Sequence, residues 1–151
     1  MNGDEILKLD NQFCFAVYAC AREITKLYHP LLKELGLTYT QYVTLLALWE
    51  KDRVTVKELG ERLYLDSGTL TPLLKKLETA GYVTRSRDPD DERNVRIALT
   101  EEGRALKRKA CSIPERMFAQ SGATYEEVVA VREQMTALLR KIHRQNEQEE
   151  N

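Results

Sequence analysis

The residues best suited to chemistry in this chain are a cysteine near its start, tyrosines around it, and a run of hydroxyl and basic side chains further on. Cys14 follows Asp10 and Asn11, either of which can cap a helix, so the thiol is expected at the end of a first helical turn. Unpaired backbone N–H groups and the helix dipole favour a thiolate there, the form that a peroxide oxidises to sulfenic acid. Tyr18, four residues on, shares that helical face and can lie against Cys14 within one chain. A free cysteine is otherwise most often a small buried hydrophobe, and on the residues alone both readings stand. Cys20 lies about 9 Å from Cys14 along a helix, beyond the ~7 Å Cα limit of a disulfide, and reads as packing. Cys111 is remote in sequence. The chain has no C-x-x-C and no basic neighbour beside Cys14, and Cys14, Cys20 and His29 lack zinc-ligand spacing. These features argue against a cysteine peroxidase, so no enzyme activity, metal or cofactor is expected.

The second group occupies residues 67–77. Ser67, Gly68, Thr69, Thr71, Lys75 and Lys76 are available on one side of a helix whose other side carries Leu70, Leu73, Leu74 and Leu77. A helix reads DNA in this way, with small polar and basic groups outward and an apolar face fixed to a core. Free N–H groups at its start favour phosphate. Arg85, Arg87, Arg93 and Arg96 follow, and an arginine at a hairpin tip suits a narrow minor groove. Against them stand Glu78, Asp88, Asp90, Asp91 and Glu92, so either element alone is also readable as an ordinary solvated surface.

The elements that hold these residues follow from periodicity and punctuation. From Asp10 the positions Cys14, Val17, Ala21, Ile24, Tyr28, Leu31 and Leu35 step by threes and fours, which predicts an amphipathic helix stopped by Gly36. Thr38 with Gln41 forms a capping box that starts a second helix, ending at Asp52-Arg53-Val54. Thr55 with Glu58 starts a third, and after the turn Tyr64-Leu65-Asp66 the helix opened by Ser67 runs to Gly81, a helix-turn-helix. The period then becomes two over residues 82–87 and 94–99, with a polar turn between, giving a β-hairpin wing. Thr100 caps a further helix bent around Pro114. The last helix repeats the three-four stripe through Val128, Val131, Met135, Leu138 and Ile142. The expected fold is therefore mainly α with a small β-hairpin wing. Residues 10–35 and 100–145 form a helical dimerisation region, 38–99 a winged helix-turn-helix, and 146–151 a frayed tail.

Composition sets limits without deciding the case. The 151 residues allow one domain with an appended part, and a net charge of −1 gives no global sign of nucleic acid, so DNA binding has to rest on local charge. No apolar run approaches the ~20 residues of a membrane span and the start is unlike a signal peptide, so a cytoplasmic protein that does not engage a membrane is expected. The sparse, odd cysteine set fits a reducing compartment.

The stretch Leu65-Asp66-Ser67-Gly68-Thr69-Leu70-Thr71-Pro72-Leu73-Leu74-Lys75-Lys76-Leu77-Glu78, with Gly81 and Asp91-Glu92-Arg93, resembles the MarR family of bacterial regulators over residues 10–145. Within it, Asn11-Gln12-Phe13-Cys14-Phe15, Tyr18, Tyr28 and Leu37-Thr38-Tyr39 resemble the organic hydroperoxide resistance regulators (OhrR) of one-cysteine type. The resemblance implies a homodimeric repressor on double-stranded DNA with a pseudo-palindromic operator. It implies that Asp91 shapes the wing while Arg93 enters the minor groove. It also implies that an organic hydroperoxide oxidises Cys14 amid hydrogen bonds from Tyr18, Tyr28 and Tyr39, and that a small thiol then forms a mixed disulfide.

Helical rise adds a constraint: Tyr28 is about 21 Å from Cys14 along a straight helix. The two meet only if the first helices of two subunits cross antiparallel near Ala21, with Tyr28 of one beside Cys14 of the other. Oxidation then shifts the paired helices and the spacing of the recognition helices. Within the same fold, release by a small aromatic effector held by Tyr28, His29 and Trp49 is the alternative.

Overall fold

The computed structural model describes residues 2–151, which form two compact units meeting in sequence at Met117 and Phe118. The first unit opens with a short helix α1 (Gly3–Ile6) and a 3-10 turn (Leu9–Asn11), then α2 (Phe13–Lys33) and α3 (Tyr39–Glu50). A two-residue strand β1 (Val54–Thr55) precedes α4 (Val56–Leu63) and α5 (Ser67–Thr79). Strands β2 (Val83–Arg87) and β3 (Val95–Leu99) and helix α6 (Glu101–Ala110) follow, and α7 (Ile113–Ser121) runs across the boundary. The second unit carries α8 (Tyr125–Glu150). Among the described residues no helix is long and apolar enough to cross a membrane.

Local chemistry sets most of these ends. At the end of α2 the Leu37 N–H donates to the Leu32 carbonyl at 3.0 Å while Gly36 takes φ of 70°, a left-handed stop that closes the helix. Thr38 accepts from the Gln41 N–H and its own N–H donates to the Gln41 side chain, the full capping box expected of α3. Thr124 and Glu127 do the same for α8. Between α4 and α5, Tyr64 has φ of 58°. Gly60 packs so close to this turn that a Cβ there would stand 2.7 Å from the Leu65 carbonyl oxygen. A larger residue would push the two helices of the helix-turn-helix apart.

The core lies where α2, α3, α5, α6 and the sheet meet. Leu32, Leu45, Leu48, Leu70, Leu74, Leu77, Ile97 and Ile113 are fully buried there. By contrast, Val128, Val131, Met135, Leu139 and Ile142 on α8 and Phe13, Phe15 and Val17 on α2 leave much of their surface uncovered in a single chain.

The structure corrects the sequence expectations in four places. Val54 belongs to β1, where it pairs antiparallel with Ile97, so the sheet has three strands in the order β1-β3-β2. A two-residue strand has no periodicity to read. Helix α2 starts later than expected, with Gln12 at its cap, because Asn11 is the last residue of the 3-10 turn and not an extended cap; the Asn11 side-chain amide donates to the Glu5 carbonyl and that of Gln12 to the Ile6 and Lys8 carbonyls, tying the turn back. Residues 146–150 continue α8, consistent with the helix-forming tendency of their Gln and Glu side chains. Cys20, expected to pack, is exposed within the chain.

Candidate functional site

Helix α5 presents Ser67, Gly68, Thr69, Lys75 and Lys76 on the surface, with Thr71 half-buried, while Leu70, Leu74 and Leu77 are fully covered. Ser67 is its first residue and Asp66 its cap. The Asp66 carboxylate accepts the Thr69 N–H at 2.7 Å, and the Thr69 backbone and side-chain hydrogen bonds, opposed slightly by burial and helped by the Gly68 N–H, hold its acid strength up, with its pKa lowered. The helix start thus already holds an anion, and a phosphate would have to compete with it. Pro72 is the sixth residue of α5, so the Gly68 carbonyl has no N–H at its usual helical donor position.

Each arginine of the sheet and its connecting turn has a distinct task. Arg93 donates from Nε and from a terminal nitrogen to the two oxygens of Asp91, both at 3.0 Å, and its backbone N–H bonds the same carboxylate at 3.1 Å. This fork lowers the Asp91 pKa and raises that of Arg93. The Arg93 side chain nevertheless stays 89% exposed, so Asp91 aims the guanidinium without covering it. Arg87 donates to the Glu92 carbonyl at 2.8 Å and remains exposed. Arg85 has a partner in the preceding helix. Its backbone N–H and its Nε both bond Glu78, each at 3.2 Å, and only 25% of the side chain is exposed, so it fastens β2 to the end of α5.

Two carboxylates not singled out from the sequence organise this region. Asp88, 6% exposed, accepts the Asp90 N–H at 3.0 Å and lies 3.3 Å from Arg96 Nε. Asp52 accepts the N–H groups of Arg53 and Leu99 at 2.8 Å and lies 3.6 Å from Arg104. Buried or half-buried carboxylates in a polar turn are structural ties, and their only sequence signal was the clustering of acids around the arginines.

Cys14 is the second residue of α2 and is exposed. It stands nearer the unpaired N–H groups of the helix start than the sequence suggested. Tyr18 is 59% exposed one turn on, with the Arg22 guanidinium 5.5 Å from its ring centre. Tyr28 and Tyr39 lie together across the α2–α3 turn, ring centres 5.0 Å apart. The structure brings these two together and leaves Cys14 and Tyr18 at the other end of α2, as the 14-residue separation requires.

A third ring joins the pair. Tyr42, only 2% exposed, sits 5.8 Å from Tyr28 and 6.4 Å from Tyr39 between ring centres. The sequence reading had it as one more apolar position on α3, although its three-residue spacing from Tyr39 puts both on one helical face. Burial raises the Tyr39 pKa, burial and then Tyr39 raise that of Tyr28, and burial followed by both neighbours pushes Tyr42 up to about 12. All three phenols therefore stay protonated, as donors, at neutral pH. None of their hydroxyls makes a hydrogen bond among the described residues.

The residues of the alternative effector site take other partners. Trp49 Nε1 donates to the Gly103 carbonyl at 2.9 Å, tying α3 to α6, and His29 is exposed. A cleft of about 360 Å³ over Ala47, Val54 and Leu59 is rimmed by Glu50, Glu58, Glu61, Lys51 and Arg62 and carries no aromatic side chain. Cys111 is exposed, its thiol donating to the Lys107 carbonyl at 3.2 Å.

Comparison with known proteins gives one consistent result. Residues 26–110 match the model of the family described as transcriptional regulator SarA/Rot. The chain is 49% identical over 145 residues, 96% of its length, to the organic hydroperoxide resistance transcriptional regulator of Bacillus subtilis (strain 168), of which it covers 99%. It is 36% identical to AbfR in its reduced form bound to DNA, covering 93% of this chain and 99% of that one with a TM-score of 0.75. AbfR, from Staphylococcus epidermidis, has also been solved overoxidised and with its disulfide formed. A MarR mutant from E. coli complexed with operator DNA matches with a TM-score of 0.76 at 24% identity, over 90% of this chain and 96% of that one, a likeness of fold.

Proposed function

The chain belongs to the SarA/Rot family of MarR-like winged-helix transcriptional regulators, and we propose that it is a dimeric repressor that releases its operator when an organic hydroperoxide oxidises Cys14. The observation that carries this reading is the pairing of Tyr28 with Tyr39, two protonated donors 5.0 Å apart between ring centres whose hydroxyls bond no other group among the described residues and stay open to a partner from outside the chain. Cys14 is too far along the same helix to be their acceptor. The Cys14 of a second chain, brought in by antiparallel α2 helices, is an acceptor of the right kind. The uncovered apolar side chains of α2 and α8 support such a dimer.

On DNA, Ser67, Gly68, Thr69, Thr71, Lys75 and Lys76 of α5 face the major groove and Arg93, aimed by Asp91, enters the minor groove. Arg87, exposed although one terminal nitrogen donates to the Glu92 carbonyl, reaches the DNA backbone with its remaining donors. Arg85 drops out of the contact set because Glu78 holds it. Two such units, one per chain, read a pseudo-palindromic operator.

The sensing step balances without a cofactor. The Cys14 sulfur attacks the distal oxygen of ROOH, the O–O bond breaks, and the leaving alkoxide takes the thiol proton as ROH. Sulfur loses two electrons and the peroxide gains them. A small thiol RSH then converts the sulfenic acid to a mixed disulfide with loss of water. The tyrosine hydrogen bonds to sulfur are replaced, the α2 pair shifts, and the α5 helices lose their spacing.

A DNA-shift titration tests this with reduced wild type and Cys14→Ser protein, each given cumene hydroperoxide, hydrogen peroxide or nothing. Both proteins bind untreated, and only the wild type is released by the organic hydroperoxide. Release of the Cys14→Ser protein refutes the sensor and revives the effector reading.

A further inference from the structure

We propose that Tyr42 is a positioning residue of the sensor, its buried ring fixing the Tyr28 and Tyr39 rings so that their two hydroxyls converge on one acceptor. This rests on the sensor reading above and deepens it. The three rings form a closed triangle with sides of 5.0, 5.8 and 6.4 Å between centres, every pair tilted by 40–49°. Tilted contacts of this kind have a preferred geometry, so each ring restricts the rotation of the other two.

The members differ in what holds them. Tyr42 is 2% exposed and belongs to the same core as Leu45 and Leu48, whereas Tyr28 and Tyr39 are only partly buried against that core. Tyr28 comes from α2 and Tyr39 from the first residue of α3, so no single backbone element sets their separation. Without a third ring, the α2–α3 turn and solvent would decide where each phenol points. The Tyr42 ring lies beside both, 5.8 and 6.4 Å between centres, and is itself held in the core. Its own hydroxyl is not needed for this role, which depends on the ring.

The test separates ring from hydroxyl and separates this proposal from the one beneath it. Tyr42→Phe keeps the ring, while Tyr42→Leu and Tyr42→Met replace it with apolar volume. The Tyr28→Phe/Tyr39→Phe double variant removes the two donors. Each dimer is first checked for operator binding in the reduced state. The rate of Cys14 oxidation by cumene hydroperoxide is then measured by mass spectrometry, and tyrosine ionisation is followed by ultraviolet absorbance.

Tyr42→Phe should oxidise within twofold of wild type. Tyr42→Leu or Tyr42→Met should bind operator when reduced but oxidise about five- to tenfold more slowly, the loss of about one hydrogen bond to the reacting sulfur. In these two variants the remaining buried tyrosines should also ionise at lower pH, as water reaches them. A wild-type rate in both overturns the proposal, as does equal slowing in Tyr42→Phe, which would make the hydroxyl the active part. Failure of both apolar variants to bind operator when reduced overturns it as well, because Tyr42 is then a core residue only. A wild-type rate in the double variant instead defeats the underlying sensor reading.

Discussion

Replacing Gly103 by alanine should destabilise the protein by about 2–4 kcal/mol, although alanine is much the better helix former. Gly103 lies in the first turn of α6, where a Cβ would stand 2.1 Å from the Tyr82 carbonyl oxygen and 3.2 Å from a Leu99 methyl. Real Cβ atoms essentially never come within 3.0 Å of a neighbour, so α6 or the start of β2 has to move by nearly an ångström. The obstructing atom is backbone and cannot rotate away. Three hydrogen bonds meet at this point: Thr100 N–H to the Tyr82 carbonyl, Gly103 N–H to Thr100 Oγ1, and Trp49 Nε1–H to the Gly103 carbonyl. Overpacking costs about 1–3 kcal/mol and each lost hydrogen bond about 1, against a helix-propensity gain of at most ~1. Trp49 is the only tryptophan, so its fluorescence during urea unfolding at fixed chain concentration reports on this joint directly. The predicted fall corresponds to roughly 5–15 °C in Tm for a chain of this size. A Gly103→Ala protein with an unchanged or higher midpoint would show that propensity outweighs the close approach and would refute the reasoning.

Two further predictions concern exposed charges. Arg93→Ala should weaken operator binding about tenfold at moderate salt and lower the salt slope by about two, one for each chain of the dimer, while Asp91→Ala, which leaves the arginine present but unaimed, should weaken it less; equal affinities across a salt titration would remove the wing tip from the interface. The bidentate pair of Arg116 with Glu34, at 2.9 and 3.0 Å, lowers the Glu34 pKa from 4.5, first through the hydrogen bond and then through the charge. A carboxylate with a depressed folded pKa adds stability above its unfolded value and loses it as pH falls through the folded one. Glu34→Gln should therefore lower Tm at neutral pH by about a degree or two, since the pair is exposed, with the gap closing as pH falls below the ordinary 4.5 and shrinking in salt. Thermal scans that show no gap at pH 7, or one that persists at pH 2, would contradict that assignment.

What the sequence made legible was what is encoded within a few residues. Thr38 with Gln41, the leucines of α5, and the change of period after Gly81 each specify local backbone hydrogen bonding or one apolar face, and the helices and strands formed where those signals lay. The misses have a common cause, which is a partner beyond the reach of one helical turn. Asn11 is a good cap in isolation, but the 3-10 turn tied back to the Glu5 carbonyl takes it in, so α2 starts at Phe13. Arg85 looks like its neighbours until Glu78, from the preceding helix, claims it. Val54 becomes a strand only because Ile97 is opposite. Tyr42 reads as one more apolar residue, and only the fold shows that the Gly36 turn folds Tyr28 back onto it. The separation of Cys14 from Tyr28, by contrast, was fixed by helical rise alone.

The link between the tyrosines and the DNA-reading elements is a single helix. α3 carries Tyr39 and Tyr42 in its first turn and Trp49 and Glu50 in its last, over 12 residues, or about 18 Å. Its middle is held by Thr44, Leu45 and Leu48, all fully buried, so it has no room to bend. Its far end is bonded to three neighbouring elements: Trp49 to Gly103 of α6, Glu50 to Arg62 of α4, and Asp52, just beyond, to the Leu99 N–H of β3. In the proposed switch, a displacement of the tyrosines at one end is therefore not absorbed along α3. It reaches α4, and through the Gly60 contact the turn into α5, as movement of a whole packed helix rather than of one side chain. In that proposal a sensor on the first turn of α3 acts on α5 without touching it, and the close packing around Gly60 and Gly103 is what keeps the lever stiff.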